Sequence, residues 1–153
     1  MKIQYGMKAA PLYMEQLKDR VDMFKQLKSN PIIELHLFGE TDIFNKKGLG
    51  ICYKNCASIQ SYNPEFIVHF PHQDVSGKIF DPFVDGDETV LEVLDFSNII
   101  SATAIVMHRH CGLDKNLPFD EAEQLFNQRL KGWADEARQR NLSILVENNG
   151  FLW

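Results

Sequence analysis

The chain has few cysteines, only three in 153 residues, and no CxxC pair. An odd count without metal-finger spacing argues against a disulfide framework and fits a thiol-reducing cytoplasm. No apolar run reaches the ~18–20 residues that a membrane span needs. The opening residues, Met1-Lys2-Ile3-Gln4-Tyr5-Gly6, lack the apolar stretch of a secretory signal. No strand-like segment is followed by GxGxxG or GxxxxGK[ST], which removes support for a nucleotide-binding sheet. Low-complexity tracts and internal linkers are missing as well. Basic charge is in the minority, with 16 Lys+Arg against 21 Asp+Glu and a formal net charge of -5. That balance argues against an electrostatic nucleic-acid binder, short of a local basic patch.

What remains is ordinary globular composition, 44% hydrophobic and 24% charged, which excludes a disordered tail, a collagenous chain or a coiled-coil rod. The length fits one domain, 1–153. Strand-like and helix-like periods alternate along it. Met1–Tyr5 reads as a short strand. Pro11–Lys28 reads as a helix with Tyr13, Leu17, Val21 and Phe24 on one face and Pro11 in its first turn, ended by Ser29-Asn30-Pro31. Ile32–Phe38 is a second strand, Gly50–Ser61 a short helix through Ile51, Asn55 and Ile59, and Phe66–Phe70 a third strand. Asp87–Asn98 is a helix with Asp87 as its N-cap and Val90, Leu91 and Leu94 inward. Thr103–Met107 is the fourth strand. Pro118–Asn141 is the longest helix, with Phe119, Ala122, Phe126, Leu130, Trp133 and Ala137 at steps of three and four, and Leu142–Glu147 is the fifth strand. Continuously apolar strands separated by amphipathic helices mean parallel strands covered by helices. The expected class is therefore α/β with about five parallel strands.

All five histidines fall in or just after expected strands: His36, His69, His72, His108 and His110. Glu147 closes the fifth strand. In a parallel α/β sheet or barrel the C-terminal strand ends share one face, where ligands and catalytic groups gather. His69, His108 and Glu147 each end an apolar strand and should converge. Imidazole with carboxylate is a competent ligand set for Zn, Mn, Co or Fe. One strand-end histidine is usually a hydrogen-bonded loop residue, but His, His and Glu on three successive strand ends point to a metal site.

Other residues read in two ways. Glu34 and His36 share one side of their strand; both can line the site, or Glu34 can be an ion-pair partner at the barrel bottom. His72 and His110 are substrate-binding candidates or exposed loop residues. Arg109 suits a phosphate or carboxylate, or a surface salt bridge. Cys111 has no recognisable base and orienter. Cys52 and Cys56, four apart, suit packing better than ligation. Phe151 and Trp153 suit an apolar pocket wall or helix packing.

The order ELHL (Glu34–Leu37), VHFPH (Val68–His72), IVMHRH (Ile105–His110) and LVENN (Leu145–Asn149) resembles the xylose-isomerase-like TIM-barrel superfamily, which holds sugar isomerases and epimerases and the endonuclease IV type of abasic-site nuclease. The resemblance implies a partial (β/α)8 barrel, because a whole barrel takes ~250 residues and eight strands; the chain then reads as an N-terminal portion. The missing half would come from a longer gene product or from another copy.

The same resemblance implies a divalent metal (Zn, Mn, Co or Mg), with Glu147 as a ligand in both branches and as a proton carrier in several epimerases. His69 and His108 match metal-ligating histidines of the nuclease branch, whereas their equivalents in the isomerase branch more often contact substrate; with Glu147 they are the metal-ligand candidates here. His36, His72, Arg109 and His110 would contact a small sugar-like substrate. The implied activity is a metal-dependent sugar or sugar-phosphate isomerase or epimerase. The alternatives are a metal-dependent phosphodiesterase at abasic DNA sites, whose basic loops would include Lys46, Lys47 and Lys54, and a non-catalytic half-barrel. His108-Arg109-His110 departs from the His-Pro-Gly common after strand four in the nuclease branch.

Overall fold

In the computed structural model, residues 6–37, 46–71, 87–108 and 118–147 are described. They form β1 (Met7–Ala9), α1 (Met14–Gln26), β2 (Ile32–His36), α2 (Lys46–Ser58), a 3-10 turn (Gln60–Tyr62), β3 (Glu65–His69), α3 (Asp87–Ile99), β4 (Ala104–His108), α4 (Phe119–Gln139) and β5 (Ser143–Glu147). The five strands make one sheet in the order β1-β2-β3-β4-β5, every neighbour parallel. Sequential order with a helix in each crossover is how a (β/α)8 barrel is wound. The fold is a partial barrel of this kind, as the resemblance of the strand-end motifs implies.

Side chains alternate across the sheet. Ile33, Leu35, Phe66, Val68, Ile105 and Met107 turn to the helical layer and are buried. There they meet Leu17, Val21, Cys52, Cys56, Val90, Leu94, Phe126 and Trp133 in one apolar cluster. The other face carries Glu34, His36, His69 and His108 toward the C-terminal strand ends. Burying such side chains contributes about 1.5–3 kcal/mol each, which is what holds the sheet to its helices.

Four connections into strands share one device. Lys28, Asn63, Ser101 and Asn141 all take a positive φ, between 50° and 58°. After α1, α3 and α4 the residue next along donates its N–H back five positions: Ser29 to Phe24, Ala102 to Ser97 and Leu142 to Ala137. This left-handed stop satisfies terminal carbonyls and turns the chain into the next strand within a few residues. Asn tolerates the conformation; Lys28 and Ser101 adopt it against the Cβ clash.

Several expectations shift. The first expected strand, Met1–Tyr5, lies outside the described residues; the first strand among the described residues is β1, Met7–Ala9. α1 begins at Met14, not Pro11, because Tyr13 is extended (φ -104°, ψ 104°) and Pro11 sits in a turn. Tyr13 is exposed, not on the inner face. α2 starts four residues earlier than expected, at Lys46, and buries Cys52 and Cys56 while Ile51 is exposed; Ile59, just past its end, is buried too. Asn55 serves a different end: its amide donates to the carbonyls of Pro11 (2.9 Å) and Leu12 (3.1 Å), tying α2 to the β1–α1 turn. Lys46 and Lys47 therefore open a helix and Lys54 is exposed along it; none of the three lies in a loop. Phe119 is exposed at the start of α4. Asp87 begins α3, and its Oδ1 accepts hydrogen bonds from Trp133 Nε1 (2.8 Å) and Arg129 (2.7 Å), so it pins α4. No helix among the described residues is long and apolar enough to cross a membrane.

The left-handed stops are open to test. Ser101→Gly and Lys28→Gly should each stabilise the fold by about 1 kcal/mol by removing the Cβ clash, read as a raised urea midpoint. Leu35→Ala, in the fully buried layer, should lower stability by about 2–5 kcal/mol in the same assay.

Candidate functional site

The sheet's register builds the site. β2 pairs with β3 so that His36 stands opposite His69, and β4 pairs with β5 so that His108 stands opposite Glu147. β3 and β4 are offset: His69 pairs with Val106, two residues before His108. The three histidines and two glutamates therefore occupy one face at one end, where a parallel α/β sheet carries its ligands.

A continuous polar chain runs across four strands. Glu34 Oε1 lies 2.8 Å from His36 Nε2 and 2.7 Å from His69 Nδ1. His69 Nε2 lies 2.9 Å from His108 Nε2, which lies 3.0 Å from Glu147 Oε2. The His36 and His69 rings stack with centroids 4.3 Å apart, and His69 meets His108 edge to face at 4.8 Å. His69 is buried, His36, Glu34 and His108 are half-buried, and Glu147 is the most open member. Lys8, on β1, brings its ammonium to 3.7 Å from Glu34 Oε1.

The electrostatics follow from partial desolvation. Burial lowers the pKa of all three histidines. For His36 and His69 this outweighs the opposing pull of Glu34. His108 is lowered further by neighbouring His69 and is pulled upward by Glu147. Burial would raise the Glu34 carboxyl, but hydrogen bonds from His69 and His36, helped by the charges of His36 and Lys8, hold it below its ordinary value. The favoured state at neutral pH is thus neutral imidazoles around an ionised Glu34.

Proton counting shows what this state leaves open. A neutral His69 that donates Nδ1–H to Glu34 presents the Nε2 lone pair toward His108. His108 Nε2 also faces the Glu147 carboxylate, so at most one proton serves two acceptors there. With the His108 proton on Nδ1, three lone-pair-bearing atoms converge on one point, and a divalent cation would satisfy all of them. The ligand atoms of His69, His108 and Glu147 lie within 4.8 Å of one another, as do those of Glu34, His36 and His69. Two imidazoles and a carboxylate are the donor types of zinc, manganese and cobalt sites.

The structure thus brings His69, His108 and Glu147 together as their strand-end positions suggest, and adds His36. Glu34 belongs to this cluster and not to the opposite end of the sheet. Its signal in the sequence was the two-residue step to His36. His72, Arg109, His110, Cys111, Phe151 and Trp153 lie outside the described residues. Cys52 and Cys56 are buried under the sheet, their thiols pushed up to about 12 by burial, so they serve as packing.

No family model matches the sequence, and no curated protein does. Solved structures match the fold. A D-tagatose 3-epimerase-like protein superposes with TM-score 0.63 at 17% identity, over 97% of this chain and 55% of that one. A protein from Thermus thermophilus soaked with ZnCl2 gives 0.59 at 15% identity, over 92% and 54%. A xylose isomerase domain protein from Planctomyces limnophilus gives 0.54 at 10% identity, over 82% and 46%. The chain spans about half the length of the solved structures it matches.

The neutral-histidine state predicts an acid-labile fold. A histidine with a folded-state pKa below its ordinary 6.5 binds fewer protons folded than unfolded. Stability therefore falls as pH drops through 6.5 toward the lowered values, and Glu34 adds a further loss below its ordinary 4.5. In chelator-treated protein, the urea midpoint should drop between pH 7.5 and 5.5, and His69→Gln should flatten that drop. A midpoint independent of pH across this window would contradict the neutral assignment.

Proposed function

We propose that this chain is the N-terminal portion of a single xylose-isomerase-like barrel domain, 1–153 here, whose complete form is a divalent-metal-dependent sugar or sugar-phosphate isomerase or epimerase. The observation that carries the reading is the convergence of His69 Nε2, His108 Nε2 and Glu147 Oε2 at the C-terminal ends of three adjacent strands. Fold neighbours that include an epimerase-like protein and a xylose isomerase domain protein support the class. The neighbour soaked with ZnCl2 is in keeping with a metal.

In this reading His69, His108 and Glu147 hold the cation (Zn, Mn, Co or Mg). When bound, it would polarise neighbouring carbonyl and hydroxyl oxygens of a small sugar-like substrate. The chain's own residues do the rest. Glu147 is the most open of the five, so its carboxylate is the one best reached by a substrate carbon; it acts as the base that takes a proton from the carbon beside the carbonyl and returns it. His36, stacked on His69 at the edge of the cluster, is a substrate-binding residue in this reading, and His72, Arg109 and His110 are the further substrate-binding candidates. The buried free thiols fit the reducing cytoplasm.

A second reading has one specific observation in its favour. Two imidazoles, those of His69 and His108, meet on adjacent strands at 2.9 Å, and both positions match metal-ligating histidines of the abasic-site nuclease branch, which supports a metal-dependent phosphodiesterase at abasic DNA.

The test is proton exchange by the complete protein. With metal supplied, ketose or aldose substrates should incorporate solvent deuterium at the carbon beside the carbonyl. Chelation should abolish this, and Glu147→Gln should lower it by about 10²–10⁴-fold, the usual worth of a general base. Nicking of abasic duplex DNA that needs His69 and His108, without sugar exchange, would replace the isomerase reading with the nuclease one.

A further inference from the structure

We propose that Glu34 is a positioning residue for His69: it fixes the ring's tautomer and rotation so that Nε2 presents a lone pair to the site shared with His108 and Glu147. The inference rests on the metal-site reading above and deepens it.

The geometry carries the argument. His69 is the most buried member of the cluster, and both its nitrogens are engaged, Nδ1 with Glu34 Oε1 at 2.7 Å and Nε2 with His108 Nε2 at 2.9 Å. A neutral imidazole has one donor and one acceptor nitrogen. A carboxylate accepts only, so the proton must sit on Nδ1 and the lone pair on Nε2. A carboxylate behind a ligating histidine also raises the basicity of the distal nitrogen. His36 reinforces the arrangement. It donates Nε2–H to the same Glu34 oxygen at 2.8 Å and lays its ring along His69 at 4.3 Å. One oxygen thus orients two rings, and the stack stops His69 from turning.

The same facts disfavour the competing use of these residues. Glu34, His36 and His69 also have the composition of a metal site. A cation there would take His69 Nδ1, leaving Nε2 to carry the ring proton and to lose its lone pair toward His108. Both functions at once would need His69 stripped of its last N–H. Hydrogen bonding needs no such deprotonation, and Glu34 Oε1 stands at hydrogen-bonding distance from both rings.

Histidine ¹⁵N NMR on the metal-free protein reads the tautomer directly. Wild type should show His69 protonated at Nδ1, Glu34→Gln should keep that tautomer, and Glu34→Ala should shift it toward Nε2–H. Zinc titration by calorimetry should show affinity lowered about 10–100-fold in Glu34→Ala, with Glu34→Gln between it and wild type, while circular dichroism confirms that each variant is folded. His69 protonated at Nε2 in wild type overturns the proposal, and this reading stands even if Glu34→Ala fails to fold. Equal zinc affinity in wild type and Glu34→Ala overturns it too, as does a stoichiometry of two that falls to one, which would make Glu34 a ligand. Failure of wild type to bind zinc or another divalent ion, with the Nδ1–H tautomer intact, overturns the metal reading instead.

Discussion

The parallel register of β2 through β5 is the constraint on which the rest of this molecule depends. Side chains along a strand alternate with period two, so a slip of one residue between neighbours would send one strand's polar set to the helical side. In the observed register His36 meets His69 and His108 meets Glu147. The apolar half of each strand meanwhile faces the helices, and residues such as Leu35, Phe66, Val68 and Ile105 are buried there almost completely. Core and site are two faces of one register. The burial that stabilises the sheet also aligns the clustered histidines and carboxylates, without a separate device for the site.

The cluster itself is costly to assemble. Three imidazoles are drawn partly out of water, and each loses some of its capacity to be charged. Glu34 offsets part of that cost by accepting from two of them, and Lys8 sits near enough to favour the carboxylate. Glu147, more open, lies 3.0 Å from His108 Nε2. The asymmetry separates two carboxylates of the same chemistry: one is enclosed and spent on orienting rings, the other is accessible and available to a cation or a substrate.

The outer strand β5 leaves apolar side chains of the described sheet uncovered. β5 is exposed along most of its length, with Leu145 at 48% and Val146 at 38% accessibility. The matched structures are about twice as long as the part this chain covers. In a closed barrel the inward face of each strand packs on layers from strands across the axis, and that would cover Leu145. The cluster at the strand ends would then lie at the barrel's mouth with loops around it.

By itself the sequence determined the element types, their order and the parallel class. Those follow from local periodicity: Leu17, Val21 and Phe24 at helical spacing, and apolar runs of strand length at Phe66–Phe70 and Thr103–Met107. It also marked His69, His108 and Glu147, because strand-end position is a local property. Tertiary structure alone decided the details that depend on what lies opposite. Whether Ile51 or Cys52 faces inward depends on the neighbouring helices, and where α1 starts depends on the turn that Asn55 holds from another element. Glu34 is the clearest case. Its neighbours in sequence allow an ion pair at either end of the sheet; its meeting with His69, 35 residues away, exists only through the β2–β3 pairing. A carboxylate's task is set by the donors around it, and here one of its two ring partners comes from another strand.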